Sequence, residues 1–194
     1  MINNGYYCHR LFLEPGTYAV ECICVIYKYK YANGGYDNHE KESCIFRNQI
    51  RGEVLYMKVL DSYGWRFFIG DDSEFEEEKV GKWMYFFKGQ GGREFTEERC
   101  REVVEQGIVW EAKCTNSVEG VACFYLNIDD IERHKKILQY FIDHDMIQRT
   151  KTGKLHNISF KLDNQTMAGE YGNTFKAELR LDRLMDLYTG KWLV

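Results

Sequence analysis

The sequence predicts an α+β fold, a curved, mainly antiparallel sheet with helices packed on one face. Three observations carry that expectation. Runs rich in Val, Ile, Tyr, Phe and Cys recur between turn signals such as Asn33-Gly34-Gly35 and Asp61-Ser62-Tyr63-Gly64. Phe175, Ala177, Leu179 and Leu181 alternate with Lys176, Glu178, Arg180 and Asp182, the period of a half-buried strand. Ile131, His134, Leu138, Phe141 and Ile142 recur at helical spacing, while Glu132, Arg133, Lys135 and Lys136 face outward. Many strands with two main helices place those helices on one side of the sheet. The 194 residues, 44% of them apolar and only one a proline, fit a single domain over residues 1–194.

In chain order, residues 17–31 read as a strand ending at the Asn33-Gly34-Gly35 turn. Residues 53–60 and 65–69 form a hairpin around Asp61 to Gly64, and the acidic segment 71–78 is a solvated loop. Residues 82–87 form the next strand, and Gly89-Gln90-Gly91-Gly92 breaks it as a flexible connection. That run lacks the Lys-Ser/Thr of a phosphate-binding loop. Thr96 caps a helix to about Gln106, which Gly107 stops. Strands follow at 108–114 and 120–126, then the amphipathic helix from Asp129, with Asp129 and Asp130 as capping acids. A turn at 150–153, a strand at 156–162 and a short helix at 182–188 close the chain.

Charge and cysteine usage narrow the function classes. A net charge of −4 disfavours binding to long nucleic acid, which needs a cationic footprint. The local distribution is uneven: Asp71, Asp72, Glu74, Glu76, Glu77 and Glu78 cluster in eight residues, whereas 133–161 carries seven Lys or Arg against Asp143 and Asp145. Cys8, Cys22, Cys24, Cys44, Cys100, Cys114 and Cys123 are odd in number and lack paired metal-site spacing, so they are expected as reduced thiols, with no metal or cofactor. No apolar run approaches the roughly 18–20 residues of a membrane span, and no basic-then-apolar leader pattern opens the sequence. The expected location is cytoplasmic. Nucleophile-elbow, dinucleotide, zincin and kinase patterns are all missing from the sequence.

Gly81-Lys82-Trp83, Ala112-Lys113-Cys114-Thr115, the strand ending in Tyr125 before Asp129-Asp130, and Phe160-Lys161-Leu162-Asp163 with Thr166, Gly169 and Tyr171 occur in a characteristic order. Over about residues 80–172 these islands resemble the phosphothreonine-lyase-domain family, whose fold is like that of the messenger-RNA cap-binding initiation factor. The resemblance implies a ligand on the concave sheet face, with tryptophans stacking a base and basic side chains holding phosphate. Trp65, Trp83, Trp110 and Trp192 are the available indoles; each of Trp83 and Trp110 also reads as a core residue, and Trp65 follows a turn.

The lyase branch of the resemblance demands a base, an acid and phosphate-holding cations. It implies Lys113 as base, His156 as acid, and Lys161 with Arg149 or Lys154 on the phosphate. Two departures weigh against it: Thr115 stands where the family's histidine follows its lysine, and in Lys154-Leu155-His156 the subsequent Ser159 arrives one residue late, which reverses its face on a strand. The leading expectation is a soluble, non-enzymatic protein binding a nucleotide or other phosphorylated ligand. The alternatives are a protein-interaction module or inhibitor acting through loop 71–78 as a mimic of nucleic-acid phosphate, and a phosphothreonine-lyase-like enzyme.

Overall fold

The computed structural model describes the backbone of residues 5–10, 21–27, 41–50, 53–70 and 74–194, and side chains for 57–70 and 74–194. Within these limits lie strands β1 (Gly5–Arg10), β2 (Glu21–Tyr27), β3 (Lys41–Ile50), β4 (Glu53–Ser62), β5 (Trp65–Gly70) and β6 (Val80–Lys88). Helix α1 (Gly89–Glu105) follows, then β7 (Glu111–Thr115), β8 (Glu119–Asn127) and helix α2 (Ile131–Asp143). β9 (Ser159–Leu162), α3 (Asp163–Met167), a 3-10 turn at Gly172–Thr174, β10 (Leu179–Arg180) and α4 (Leu181–Leu184) complete the elements. The strand order is β1-β2-β3-β4-β5-β7-β8-β6-β9-β10, and every pairing is antiparallel. The sheet is not strongly curled, which corrects the expected curvature. The turn at Asn33-Gly34-Gly35, the acids Asp71 and Asp72, and the side chains of Cys8, Cys22, Cys24 and Cys44 lie outside the described residues.

The β4–β5 hairpin turns where the sequence places it. Tyr63 and Gly64 have φ of 50° and 78°, the two left-handed positions of a tight turn that matches strand twist. From that register the two faces of the sheet follow by alternation. Met57, Val59, Phe68, Trp83, Phe87, Ala112, Cys114, Ala122, Phe124, Leu126, Phe160 and Leu162 point to one side and are buried. Against them lie Cys100, Val103 and Val104 of α1 and Ile137, Leu138 and Phe141 of α2, with the Phe124 and Phe141 rings 4.9 Å apart. The core therefore sits between one sheet face and both main helices.

Several boundaries differ from the sequence expectation. The run Gly89-Gln90-Gly91-Gly92 is the first turn of α1 rather than a flexible connection. Burial of Cys100, Val103 and Val104, and packing of Phe95 against Tyr85, override the weak helix propensity of glycine. Thr96 lies inside the helix instead of capping it, its hydroxyl donating back to the Gly92 carbonyl at 2.6 Å. Gly107 ends α1 at φ 64° as expected. The following strand begins at Glu111 rather than 108, because the amides of Ile108 and Val109 both donate to the Val103 carbonyl.

The amphipathic helix is as predicted, with the Asp130 carboxylate accepting from the Arg133 amide at 3.1 Å. The strand expected at 156–162 starts at Ser159, since the His156 amide donates to the Gln148 carbonyl. In 175–182 the alternation of half-buried and exposed side chains is present, but only Leu179 and Arg180 pair with a neighbour. The final helix stops at Leu184, and Asp186 instead receives the Tyr188 and Thr189 amides.

One hairpin position tolerates no side chain. A Cβ on Gly120 falls 1.7 Å from Oγ1 and 2.8 Å from Cβ of Thr115, whose hydroxyl also accepts from the Val121 amide. Gly120→Ala is expected to destabilise by about 1–3 kcal/mol through overpacking. Thermal unfolding of Gly120→Ala, Thr115→Gly and the double variant tests this, since removing Thr115 should relieve most of the added cost.

Candidate functional site

The sheet face opposite α1 and α2 carries a cavity of about 460 Å³, the size of a small-ligand site. Its walls come from alternate residues of adjacent strands: Trp65 on β5, Lys113 on β7, Cys123 and Tyr125 on β8, Lys82, Met84 and Phe86 on β6, and Lys161 on β9. Alternation creates this composition, because every wall residue named except Trp65 flanks a core residue. Trp83 is turned inward between Lys82 and Met84, and Ala112 and Cys114 flank Lys113. The chain after β9 folds back over one end, adding Thr166, Tyr171 and Phe175. Gln165 pins that segment by donating to the Glu170 carboxylate and the Lys176 carbonyl, both at 3.0 Å.

Three ammonium groups gather here. Lys82 and Lys161 are directly opposite on β6 and β9, and Lys113 is opposite Cys123 on β8. Lys82 is buried and paired with Asp163, and it donates to the Thr166 hydroxyl at 3.0 Å. The Lys113 nitrogen lies 4.9, 5.4 and 5.1 Å from the ring centroids of Trp65, Phe67 and Tyr125. Lys161 is buried, donates to the Glu170 carbonyl and stands 3.6 Å from the Tyr171 ring centroid. Among the described residues, no carboxylate forms an ion pair with Lys113 or Lys161. Ring faces attract cations without neutralising them, which leaves both ammonium groups open to an anion.

Burial and the neighbouring Lys82 cation push the Lys161 pKa down. Burial also raises Glu111, on the same face of β7 as Lys113, with Lys113 opposing the shift. Tyr125 is raised by burial and then by nearby negative groups, so its phenol stays protonated and able to donate. Burial likewise raises the Cys123 thiol, with Lys113 and Lys82 opposing the shift, which favours its protonated form.

Of the residues singled out from sequence, Trp65, Lys113 and Lys161 meet in this cavity. Trp83 and Trp110 do not. Trp83 is fully buried on the helix side, donating to His134 Nδ1 at 2.9 Å, and Trp110 is buried against Phe75 under the Arg133 guanidinium. Trp192 is half-buried beside Ile108 and Tyr140, away from the cavity. Arg149 and Lys154 belong to the 149–155 turn, where Arg149 donates to the Gly153 carbonyl and Lys154 lies over the Tyr188 ring. His156 is exposed near that turn and does not line the cavity, so the acid expected for β-elimination is not brought to Lys113.

Lys82, Tyr125, Tyr171 and Phe175 also line the cavity, although no local motif marks them for it. The described part of the acidic loop is tethered: Asn127 receives the Glu76 amide and donates to the Glu74 carbonyl, and Lys79 bridges Glu76 and Asp129.

Among the described residues, no three His, Cys, Asp or Glu side chains converge as a metal site, and Cys100, Cys114 and Cys123 are free thiols. No described helix is long and apolar enough to cross a membrane. The chain matches no protein-family model, no curated protein and no solved structure.

Proposed function

We propose that this chain binds a nucleotide or a related phosphorylated ligand on the sheet face opposite α1 and α2, without acting on it chemically. The observation that supports this reading is the convergence of Lys82, Lys113 and Lys161 with Trp65, Tyr125, Tyr171 and Phe175 around one open cavity. Ammonium groups supply the attraction for phosphate, and exposed ring faces supply a stacking surface for a base. Trp65 and Phe86 border the end of the site away from the Lys161 segment, so the base is assigned to that end, beside the Lys113 ammonium that lies over the Trp65 ring, and the phosphate between Lys113 and Lys161. The proposed likeness to the phosphothreonine-lyase-domain family and to the cap-binding initiation factor fold shares this division, with helices behind the sheet and ligand in front. Stacking between two tryptophans is not part of the proposal, because Trp83 and Trp110 are enclosed in the core.

Titration of the purified protein with the 5′-monophosphates of adenosine, guanosine, cytidine and uridine, followed by tryptophan fluorescence and calorimetry, tests the reading. At least one is expected to bind with a micromolar Kd. Lys113→Ala should weaken it about tenfold or more, equivalent to about 1.4 kcal/mol, and Trp65→Ala should cost roughly 1–3 kcal/mol of stacking. Absence of binding at millimolar nucleotide, or full binding by Lys113→Ala, refutes it.

A further inference from the structure

We propose that Asp163 limits this site to ligands carrying a single phosphate group, an inference that rests on the nucleotide-binding reading above. The argument is a count of charge at fixed positions. Three ammonium groups reach the cavity, but Lys82 is already matched by Asp163 and held by the Thr166 hydroxyl. The pair is enclosed on the lysine side, at 8% side-chain exposure, and open on the carboxylate side, at 34%. Asp163 therefore neutralises Lys82 from the edge of the site. Among the described residues Lys113 and Lys161 form no ion pair, with Glu111 and Glu170 acting on them only at longer range. Two free positive charges match the roughly −1.5 to −2 of one phosphate monoester at neutral pH.

A second phosphate brings further negative charge to a place with nothing left to receive it. Among the described residues the cavity wall contains no arginine, and no carboxylate cluster is arranged to bring in a neutralising divalent cation. The carboxylate of Glu111, which forms no ion pair among the described residues and acts electrostatically on Tyr125 of the cavity wall, adds negative charge beside the site. Repulsion in a partly buried, low-dielectric setting makes the added phosphate unfavourable. Asparagine at 163 keeps the size and the hydrogen-bonding capacity toward Lys82 but removes the negative charge, which releases the Lys82 ammonium as a third ligand for phosphate.

The test measures Kd for the best-binding nucleoside as its mono-, di- and triphosphate and as the free nucleoside, in a chelator so that bound magnesium does not mask phosphate charge. Wild-type protein, Asp163→Asn and Asp163→Glu are compared. The expected wild-type order places the monophosphate first, with the triphosphate about tenfold weaker. Asp163→Asn should shift the preference about tenfold toward the diphosphate, and Asp163→Glu should retain the wild-type order. Wild-type affinity that rises with each phosphate overturns the proposal, as does a folded Asp163→Asn protein with unchanged ratios. If Asp163→Asn fails to fold, the wild-type series and Asp163→Glu still decide it. Failure of every nucleotide and nucleoside to bind would instead remove the nucleotide reading itself.

Discussion

Trp83→Ala is expected to lower folding stability by about 3–5 kcal/mol, the cost of deleting a fully buried aromatic side chain and leaving its cavity. The effect lies at the high end because the indole is also a hydrogen-bond donor. Its Nε1–H donates to His134 Nδ1 at 2.9 Å, and its ring meets Phe160 edge-on at 5.4 Å. Removing it orphans the buried histidine nitrogen as well as opening a void. Trp83→Phe should recover most of the packing but not the hydrogen bond to His134. Urea denaturation of both variants beside Trp65→Ala checks this, with Trp65→Ala expected to cost little stability and to act on ligand affinity. Near-wild-type stability of Trp83→Ala would show that the indole is not part of the core.

Acidification is expected to remove roughly 3 kcal/mol of stability through His134. Trp83 only donates, so His134 Nδ1 accepts, and the ring proton sits on Nε2, directed at the Ile128 carbonyl 3.1 Å away. A second proton would have to enter between Nδ1 and the indole N–H in a fully buried position. Burial accordingly holds the folded-state pKa down at about 4, below the ordinary value of 6.5. Between these two values the unfolded chain binds the additional proton and the folded chain does not. The His134 contribution is complete above about pH 6.5 and is lost progressively as pH falls toward 4. Glu105 and Glu111, raised by burial, act in the opposite direction over part of the range. The informative quantity is therefore the difference in pH dependence between wild type and His134→Gln, followed by denaturant unfolding from pH 7 to 4. Identical pH profiles would refute the assignment.

Much of the candidate site was encoded in the two-residue period of its strands. Once Trp83 is taken as core, Lys82 and Met84 must face the other way, and Lys113 does the same relative to Ala112 and Cys114. The signal for Lys82 was therefore present beside Trp83, but aromatic identity alone does not reveal which face a residue occupies. Tyr171 and Phe175 had no such signal. They reach the site because the segment after α3 folds back, anchored by Gln165, and nothing local in 163–178 specifies that path. His156 shows the reverse error: its spacing from Lys154 suited a shared strand face, yet the ladder starts only at Ser159.

By itself, the sequence determined the antiparallel α+β class, the Tyr63-Gly64 hairpin, the Asp130-capped amphipathic helix and the stop at Gly107. Each depends on short-range periodicity, backbone sterics or capping. Tertiary structure alone decided that glycines 89–92 are helical, that three lysines from β6, β7 and β9 share one cavity, and that Asp163 is matched to Lys82 rather than left to solvent. Those outcomes depend on strand order. β6 inserts between β8 and β9, so residues 82 and 161 become neighbours through pairing that no local pattern records.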